Sequence, residues 1–184
     1  HVPRSAEKGS APAKRDCQHW KKEAPVTIKG LHHNAYRCRD SEETRAFYED
    51  FLGLPLVEAF EIKTTQTGRD TSVLHSFYQM NDGSCLAFFE SPGQPFEFKA
   101  QHDFDLHIAL EVEQDTLMSM FEKGKASGIE TRGVADHGFI HSIYFRDPNG
   151  YVIELTTPVG EGGFTGADKA HANLASWQAS KPSA

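Results

Sequence analysis

The stretch Tyr144-Phe145-Arg146-Asp147-Pro148-Asn149-Gly150-Tyr151-Val152-Ile153-Glu154-Leu155 places two strand-like segments on either side of a tight turn. Asp147-Pro148-Asn149-Gly150 is a strong turn signal, because Pro presets φ and Gly accepts a positive φ. Glu154 falls inside the second segment among apolar residues. A carboxylate there costs free energy unless something binds it. This stretch therefore predicts a strand–turn–strand unit that carries a bound carboxylate.

The same pattern occurs twice along the chain. His33 precedes Phe47 by 14 residues, and His107 precedes Phe121 by 14. Each unit is predicted to be a strand, a helix and then three strands. One four-stranded sheet with one helix leaves an apolar face bare, so two units are expected to pair around a shared cavity. We therefore predict an α+β fold of two paired modules that form a cupped mixed sheet around a metal site.

The predicted elements follow from alternation and from helix end signals. The strands are expected at 26–37, 55–62, 72–78, 84–90, 104–112, 129–134, 140–146 and 150–157. Asp40 is predicted to cap the first helix, with Glu43 completing a capping box, and Gly53 to end it. Asp115 and Gly128 are the corresponding predictions for the second helix.

The chain is predicted to divide into five parts. They are a flexible arm (1–25), a first module (26–90), a linker (91–103), a second module (104–158) and a tail (159–184). In the tail, Ala170, Leu174 and Trp177 recur at helical spacing. This spacing predicts a C-terminal helix packed on the body or on a second subunit.

Composition narrows the class of function. The 184 residues carry a formal net charge of −7, which argues against binding to nucleic acid or to an anionic membrane. The sequence has no apolar run of membrane-spanning length. Its three cysteines, Cys17, Cys38 and Cys85, are odd in number and form no CxxC pair, which favours reduced thiols in the cytoplasm.

Three residues are candidate metal ligands. His33 and His107 lie in the first strands of the two units, and Glu154 lies in the last strand of the second. Two histidines and one carboxylate are typical of non-haem Fe(II) centres that keep open positions. His33 is preferred over its neighbour His32 by strand parity. The alternative interpretation is a solvent-facing glutamate and two core histidines bonded to backbone.

Two segments resemble the vicinal oxygen chelate superfamily. His32-His33-Asn34-Ala35, followed by Asp40 and Phe47-Tyr48-Glu49-Asp50-Phe51-Leu52-Gly53-Leu54, resembles its opening segment. The 144–150 stretch with Glu154 resembles its closing segment. The superfamily contains glyoxalase I, fosfomycin- and bleomycin-resistance proteins and extradiol ring-cleaving dioxygenases. The resemblance covers about residues 28–158 and implies paired βαβββ modules with a divalent metal held by His33, His107 and Glu154.

Within this superfamily, the second unit resembles the extradiol dioxygenase branch. The segment Asp136-His137-Gly138-Phe139 precedes Ser142-Ile143-Tyr144-Phe145. The resemblance implies that Tyr144 hydrogen-bonds a substrate oxygen and that His137 assists proton transfer. The alternatives are a core aromatic and a loop histidine. The resemblance further implies Fe(II), with Mn(II), Ni(II) or Zn(II) as alternatives, and a homodimer that uses O2 and a small-molecule substrate such as a catechol.

Two features bear on rival reactions. Larger ring-cleaving enzymes carry a further histidine about fifteen residues before the second metal histidine, and here that position falls near Pro92. Glyoxalase-like isomerisation uses a fourth protein ligand from the other module. Glu90 is seven residues after Gly83, whereas Glu154 is four after Gly150 and the matched residue is Ala87. Parity turns Glu90 to the opposite face, which favours oxygen chemistry over a glyoxalase-like lyase or transferase. A metal-free ligand-sequestering protein is the third possibility.

Overall fold

A computed structural model describes residues 28–64, 66–160 and 163–182, so the predicted N-terminal arm lies outside the described residues. The strands are β1 (His33–Cys38), β2 (Leu56–Thr64), β3 (Asp70–Gln79), β4 (Cys85–Glu90), β5 (Ile108–Glu111), β6 (Thr131–Asp136), β7 (Ile140–Arg146) and β8 (Val152–Pro158). The helices are α1 (Ser41–Arg45), which continues as a π-helical turn (Ala46–Phe51), α2 (Gln114–Ala126) and α3 (Ala167–Ser180).

The strands form two four-stranded sheets of the same topology. Their orders are β1-β4-β3-β2 and β5-β8-β7-β6. In each sheet the first strand runs parallel to the last, and the remaining neighbours are antiparallel. We call β1–β4 with α1 module 1, and β5–β8 with α2 module 2. The predicted α+β fold of two βαβββ modules with a C-terminal helix is confirmed.

The first helix begins as predicted. The Asp40 side chain accepts hydrogen bonds from the backbone N–H groups of Glu42 and Glu43, at 2.9 and 2.8 Å. The Glu43 carboxylate pairs instead with the Arg39 guanidinium, so only half of the predicted capping box forms. Gly53 ends the helical segment with a φ of +84°, a backbone conformation that glycine adopts without steric cost.

The second helix begins two residues earlier than the predicted cap at Asp115 implies. Glu113 occupies the N-cap position in extended conformation without a side-chain cap, and α2 starts at Gln114. The prediction that Asp115 caps this helix is therefore wrong. Asp115 lies in the first turn, where its charge suits the positive end of the helix dipole.

Two strands, β1 and β5, begin four or more residues later than predicted. Of the stretch 26–37, residues 26 and 27 lie outside the described residues, and β1 begins at His33, which pairs with Cys85 at the start of β4. Of the stretch 104–112, only Ile108–Glu111 forms β5 beside β8. Residues 103–105 instead form a turn. A strand extends only as far as a partner supplies hydrogen bonds.

The C-terminal helix α3 forms but is not packed. None of its described residues is buried, and Leu174 and Trp177 are 56% and 64% exposed. The predicted packing on the body is therefore not observed among the residues that the structure describes. Docking onto a second subunit stays a prediction. Among the described residues, no helix is long and apolar enough to cross a membrane.

The two modules share one core. The buried Tyr48 hydroxyl donates to Asp147 Oδ2 at 2.9 Å, and the Phe51 ring packs edge-on against Phe145 at 5.2 Å. The Tyr151 hydroxyl donates to the backbone oxygen of Arg37 at 3.0 Å. These contacts bury one face of each sheet, and alternation turns the intervening side chains to the other side. We call that other side the open face of each module.

Tyr48→Phe is expected to destabilise the protein by about 1.5–3 kcal/mol at neutral pH, because it removes a hydrogen bond to a charged group. Burial raises the pKa of Asp147, and the Tyr48 hydroxyl opposes that rise by favouring the ionised carboxylate. The lost stabilisation is therefore largest above the folded-state pKa of Asp147 and shrinks as pH falls through it. Urea unfolding across this pH range measures the effect.

Tyr78→Phe is the matched control for this measurement. Tyr78 is as deeply buried as Tyr48, and burial raises its pKa to about 12. A smaller and pH-independent cost is expected, since no hydrogen bond from its hydroxyl to a carboxylate is described. Equal costs at every pH for the two variants would contradict the proposed role of the Tyr48–Asp147 bond.

Candidate metal centre

Glu154 lies on an interior strand of module 2, on its open face. Its neighbours Ile153 and Leu155 point into the core, and the alternation of β8 turns Glu154 the other way. The residue is nevertheless only 4% exposed. Its Oε2 atom lies 3.1 Å from His107 Nε2, and its Oε1 atom lies 3.4 Å from the Tyr144 hydroxyl. The carboxylate is therefore covered by side chains of its own module.

His107 immediately precedes β5 and is held in one orientation. Its Nδ1 atom lies 2.7 Å from the backbone oxygen of Asp103. A carbonyl oxygen only accepts, so Nδ1 carries a proton and the neutral ring has its lone pair on Nε2. That lone pair then faces a carboxylate oxygen of Glu154 at 3.1 Å. Two acceptors at this distance require a cation between or beside them, either a proton or a metal ion.

The geometry fits two ligands of one metal ion. Nitrogen and oxygen ligands lie about 2.1 Å from a divalent transition metal, so two of them at a right angle are about 3.0 Å apart. His107 Nε2 and Glu154 Oε2 are 3.1 Å apart. Ligating histidines commonly donate their other ring N–H to a carbonyl, which is what His107 does with Asp103. The donor set therefore suits a divalent ion.

Tyr144 and His137 extend this arrangement along the open face. Tyr144 pairs with Glu154 across β7 and β8. His137 Nε2 lies 2.9 Å from the Tyr144 hydroxyl, so the two side chains share a hydrogen bond. Burial, followed by the charge of Glu154, raises the pKa of Tyr144. The phenol therefore keeps its proton at neutral pH and stays a hydrogen-bond donor.

His33 is the candidate ligand that does not join the others within one chain. It begins β1 on the open face of module 1. Its Nδ1 atom lies 2.7 Å from that of His32, and its ring contacts Phe77 at 5.3 Å and His75 at 6.1 Å. Within the described part of the chain, no group of three or more His, Cys, Asp or Glu residues could hold a metal ion. The role of His33 stays a prediction.

Strand pairing shows which positions of the two modules correspond. Ala109 pairs with Glu154, and Ala35 pairs with Ala87, so Ala87 occupies the place of the glutamate. Phe77 occupies the place of Tyr144 in the same way. Module 1 therefore offers a histidine at the matched position but neither the carboxylate nor the phenol.

Glu90 points away from the open face. Its Oε2 atom accepts a hydrogen bond from the backbone N–H of Ser41 at 2.8 Å, at the start of α1. The parity prediction for this residue is confirmed. Glu90 is therefore engaged in holding the helix and not in the candidate site.

Sequence reasoning missed Asp103 and Arg132. The Asp103 contact to His107 uses a backbone oxygen, which leaves no signal in residue type. Arg132 pairs with Tyr144 across β6 and β7, and its guanidinium carbon lies 5.2 Å from the centre of the Tyr144 ring. The alternation of β6 is the one signal that could have placed Arg132 on the open face.

A cleft of about 450 Å³ lies elsewhere. Its lining includes Leu110 and Leu155. These residues alternate with Ala109 and Glu154 along β5 and β8 and so point to the opposite side of the sheet. The cleft is therefore separate from the candidate centre.

Comparison with known proteins agrees with this fold. The model of the Glyoxalase/Bleomycin resistance protein/Dioxygenase superfamily matches residues 30–155. The chain belongs to this superfamily, in agreement with the predicted resemblance. No curated protein matches the chain.

Several solved structures share the fold. A glyoxalase/dioxygenase from Nostoc punctiforme is 21% identical with a TM-score of 0.57, covering 76% of this chain and 98% of its own. A glyoxylase/bleomycin resistance protein/dioxygenase domain from Frankia sp. EAN1pec is 18% identical with a TM-score of 0.57, covering 72% of this chain and 100% of its own. A mutant of the fosfomycin resistance protein FosX from Listeria monocytogenes, complexed with Mn(II) and 1S,2S-dihydroxypropylphosphonic acid, is 21% identical with a TM-score of 0.53, covering 73% and 97%. At these identities the similarity shows the fold alone.

Proposed function

We propose that this protein is a metalloenzyme whose divalent ion is held by His33, His107 and Glu154. We further propose that it is an Fe(II)-dependent dioxygenase that cleaves a C–C bond of a catechol-like substrate. The observations that carry the metal site are the 3.1 Å distance between His107 Nε2 and Glu154 Oε2 and the contact of His107 Nδ1 with the Asp103 carbonyl. The observation that favours oxygen chemistry is the small number of protein ligands, which leaves positions for substrate and O2.

The reaction balances without an added reductant. One C–C bond next to the diol breaks. One atom of O2 enters the new carboxylate, and the other enters the new aldehyde or ketone. Iron(II) would supply Lewis acidity and the electron-transfer chemistry that oxygen requires. Mn(II), Ni(II) and Zn(II) are the alternatives that the same ligand types accept.

The chain's own residues would orient the substrate and move its proton. Tyr144 keeps its phenolic proton and can donate it in a hydrogen bond to a substrate oxygen. His137 Nε2, 2.9 Å from that hydroxyl, can exchange a proton with it. A proton leaving the diol therefore has a path through Tyr144 to His137.

The open faces of the two modules favour an aromatic substrate without charge. Phe77 contacts His33 directly, and Phe60 stacks at 6.1 Å from Phe77. Arg132 is engaged by Asp103, and Arg37 by Gln94, at 2.8–2.9 Å. These two guanidinium groups therefore have partners of their own, and the aromatic rings are left to contact the substrate.

A second copy of the chain is the proposed source of the third ligand. Within one chain His33 contacts His32, His75 and Phe77 and does not join His107 and Glu154. Module 1 and module 2 present matched faces, so two chains related by a twofold axis can set His33 of one against the ligand pair of the other. The chain exposes aromatic side chains, including Phe60 and Phe104, that would provide apolar area for contact between two copies. This supports the expected homodimer.

The alternative function is that of a glyoxalase-like lyase or thiol transferase. It would be expected to use a fourth protein ligand, but Ala87 occupies the matched position and Glu90 bonds the start of α1. The third possibility, metal-free sequestration of a ligand, gives no reason for a 4%-exposed carboxylate beside an oriented imidazole.

A cytoplasmic location is proposed from the thiols. Cys38 and Cys85 are both buried and free. Burial raises the pKa of Cys38 to about 11 and also raises that of Cys85, so both remain unreactive thiols. Free thiols of this kind are typical of proteins in a reducing compartment.

Metal content followed by oxygen uptake tests the function. Protein purified without added metal is expected to carry about one iron per site, and to consume one O2 for each catechol cleaved. Nickel or zinc without oxygen uptake would instead support the glyoxalase-like reaction. Binding of an aromatic ligand by protein that takes up no metal would contradict both enzyme proposals and support sequestration.

A further inference from the structure

A bidentate ion pair joins the segment before β5 to β6, the strand at the other edge of the module 2 sheet. The order β5-β8-β7-β6 sets β5 and β6 three strand spacings apart, about 14 Å. Asp103 lies in the segment before β5, and Arg132 lies on β6. Arg132 Nη1 and Nη2 donate to Asp103 Oδ2 and Oδ1 at 2.9 and 2.8 Å. We call this bidentate pair the clasp.

Each half of the clasp contacts a different residue of the candidate centre. The Asp103 backbone oxygen accepts the Nδ1 proton of His107 at 2.7 Å. The Arg132 guanidinium lies over the ring of Tyr144 at 5.2 Å. The same two residues therefore hold the imidazole of a proposed ligand and cover the phenol of a proposed catalytic residue.

The segment before β5 is bound to the end of the module 2 sheet by further hydrogen bonds. We call residues 99–103 of this segment the strap. Lys99 N donates to Asn149 O at 2.8 Å, and Gln101 N donates to Gly150 O at 3.2 Å. Arg146 Nη1 donates to Gln101 O at 3.1 Å. The clasp is the last of these contacts along the strap, and its Asp103 lies four residues before His107.

We propose that Asp103 and Arg132 are positioning residues that fix His107 and Tyr144 relative to each other. The planar guanidinium allows no rotation once both of its bonds to the carboxylate are made, so it holds the strap and the ring together. With the strap held, the Asp103 carbonyl keeps the His107 proton on Nδ1 and the lone pair of Nε2 towards Glu154. This inference rests on the proposed metal site, and its test separates the two.

Co(II) binding to Arg132→Ala, Asp103→Ala and the double variant tests the clasp. Each single variant is expected to bind Co(II) about 10–100-fold more weakly, as when the partner of a ligating histidine is lost. Asp103→Ala keeps the backbone carbonyl, so its loss would come from the clasp alone. The double variant is expected to bind no more weakly than either single variant, because one interaction is removed. Wild-type affinity in both single variants, or additive losses, would overturn the proposal.

Arg45→Ala is the matched control. Arg45 makes ion pairs with Glu42, Glu49 and Asp50 in module 1, away from the module 2 sheet. It is expected to leave the Co(II) affinity unchanged. An equal loss in this variant would show that loosening of any ion pair weakens the site, which would overturn a specific role for the clasp.

Nitrogen NMR of the metal-free protein gives a readout independent of the metal. In the wild type, His107 Nδ1 is expected to give the shift of a nitrogen that carries a proton, because it donates to the Asp103 carbonyl, and in Arg132→Ala an averaged shift, because the ring is released from that carbonyl. Unchanged His107 nitrogen shifts in the variant would overturn the clasp. If the wild type bound no Co(II) while the His107 nitrogen shifts still depended on Arg132, the metal proposal would fail and the clasp would stand.

Discussion

Glu154→Ala protein is expected to fold and to carry no stoichiometric metal. Among the proposed ligands, Glu154 supplies the one negative charge, and its loss is expected to weaken metal affinity by more than about 100-fold. The metal-free variant is expected to unfold at the same urea concentration as the metal-free wild type or higher, because a 4%-exposed carboxylate has been removed from an apolar strand. Elemental analysis and urea unfolding after chelator treatment measure the two effects.

Glu90→Ala is the control that separates a ligand from a structural carboxylate. Glu90 ends the corresponding strand of module 1 but bonds the Ser41 N–H at 2.8 Å. The variant is expected to keep its metal and to lose about 1 kcal/mol of stability with that hydrogen bond. Loss of metal from Glu90→Ala would favour four protein ligands and the glyoxalase-like reaction. Full metal content in Glu154→Ala would refute the proposed centre.

Local signals predicted helix ends well where a side chain makes the cap. The Asp40 carboxylate bonds two N–H groups of α1, and Gly53 ends the helical segment. The second start was misplaced because α2 begins at Gln114 without any side-chain cap, which leaves no signal to detect. The π-helical turn was also not predicted. Phe47, Tyr48 and Phe51 are buried in this turn, but their spacing puts them on one face of an α-helix as well, so the sequence pattern does not distinguish the two.

Strand ends depended on partners that the local sequence does not reveal. β1 starts at His33 because β4 starts opposite it, at Cys85. The segment before β5 forms a turn instead of a strand, and the backbone oxygen of Asp103 in this turn bonds His107. Apolar alternation therefore located every strand, and tertiary pairing decided its length.

The candidate site was predictable where a residue type or a family motif marks it. Glu154 was predicted from a carboxylate in an apolar strand and Tyr144 from the family resemblance, and strand pairing sets the two opposite each other. The Asp103–Arg132 contact joins segments 29 residues apart across the sheet, so no spacing rule predicts it. The position of His33 depends on how two modules, or two chains, come together, which a single chain does not determine.

The last prediction concerns the chain from which His33 comes. If His33 of one copy completes the centre of another, each dimer has two sites, and each site takes ligands from both chains. A chain with His33→Ala keeps an intact His107–Glu154 pair, whereas a chain with Glu154→Ala keeps an intact His33. Each variant alone is expected to bind no stoichiometric metal, since every site in its dimer lacks one ligand.

Mixing the two variants by co-expression is expected to restore metal binding and oxygen uptake. In a mixed dimer, one site combines His33 of the Glu154→Ala chain with His107 and Glu154 of the His33→Ala chain and is complete. Its other site lacks both ligands. Random pairing makes half of the dimers mixed, so about a quarter of the wild-type sites should return. If one chain supplied all three ligands, no mixture could rebuild a site, and the absence of any recovery would place His33 beside His107 and Glu154 within a single chain.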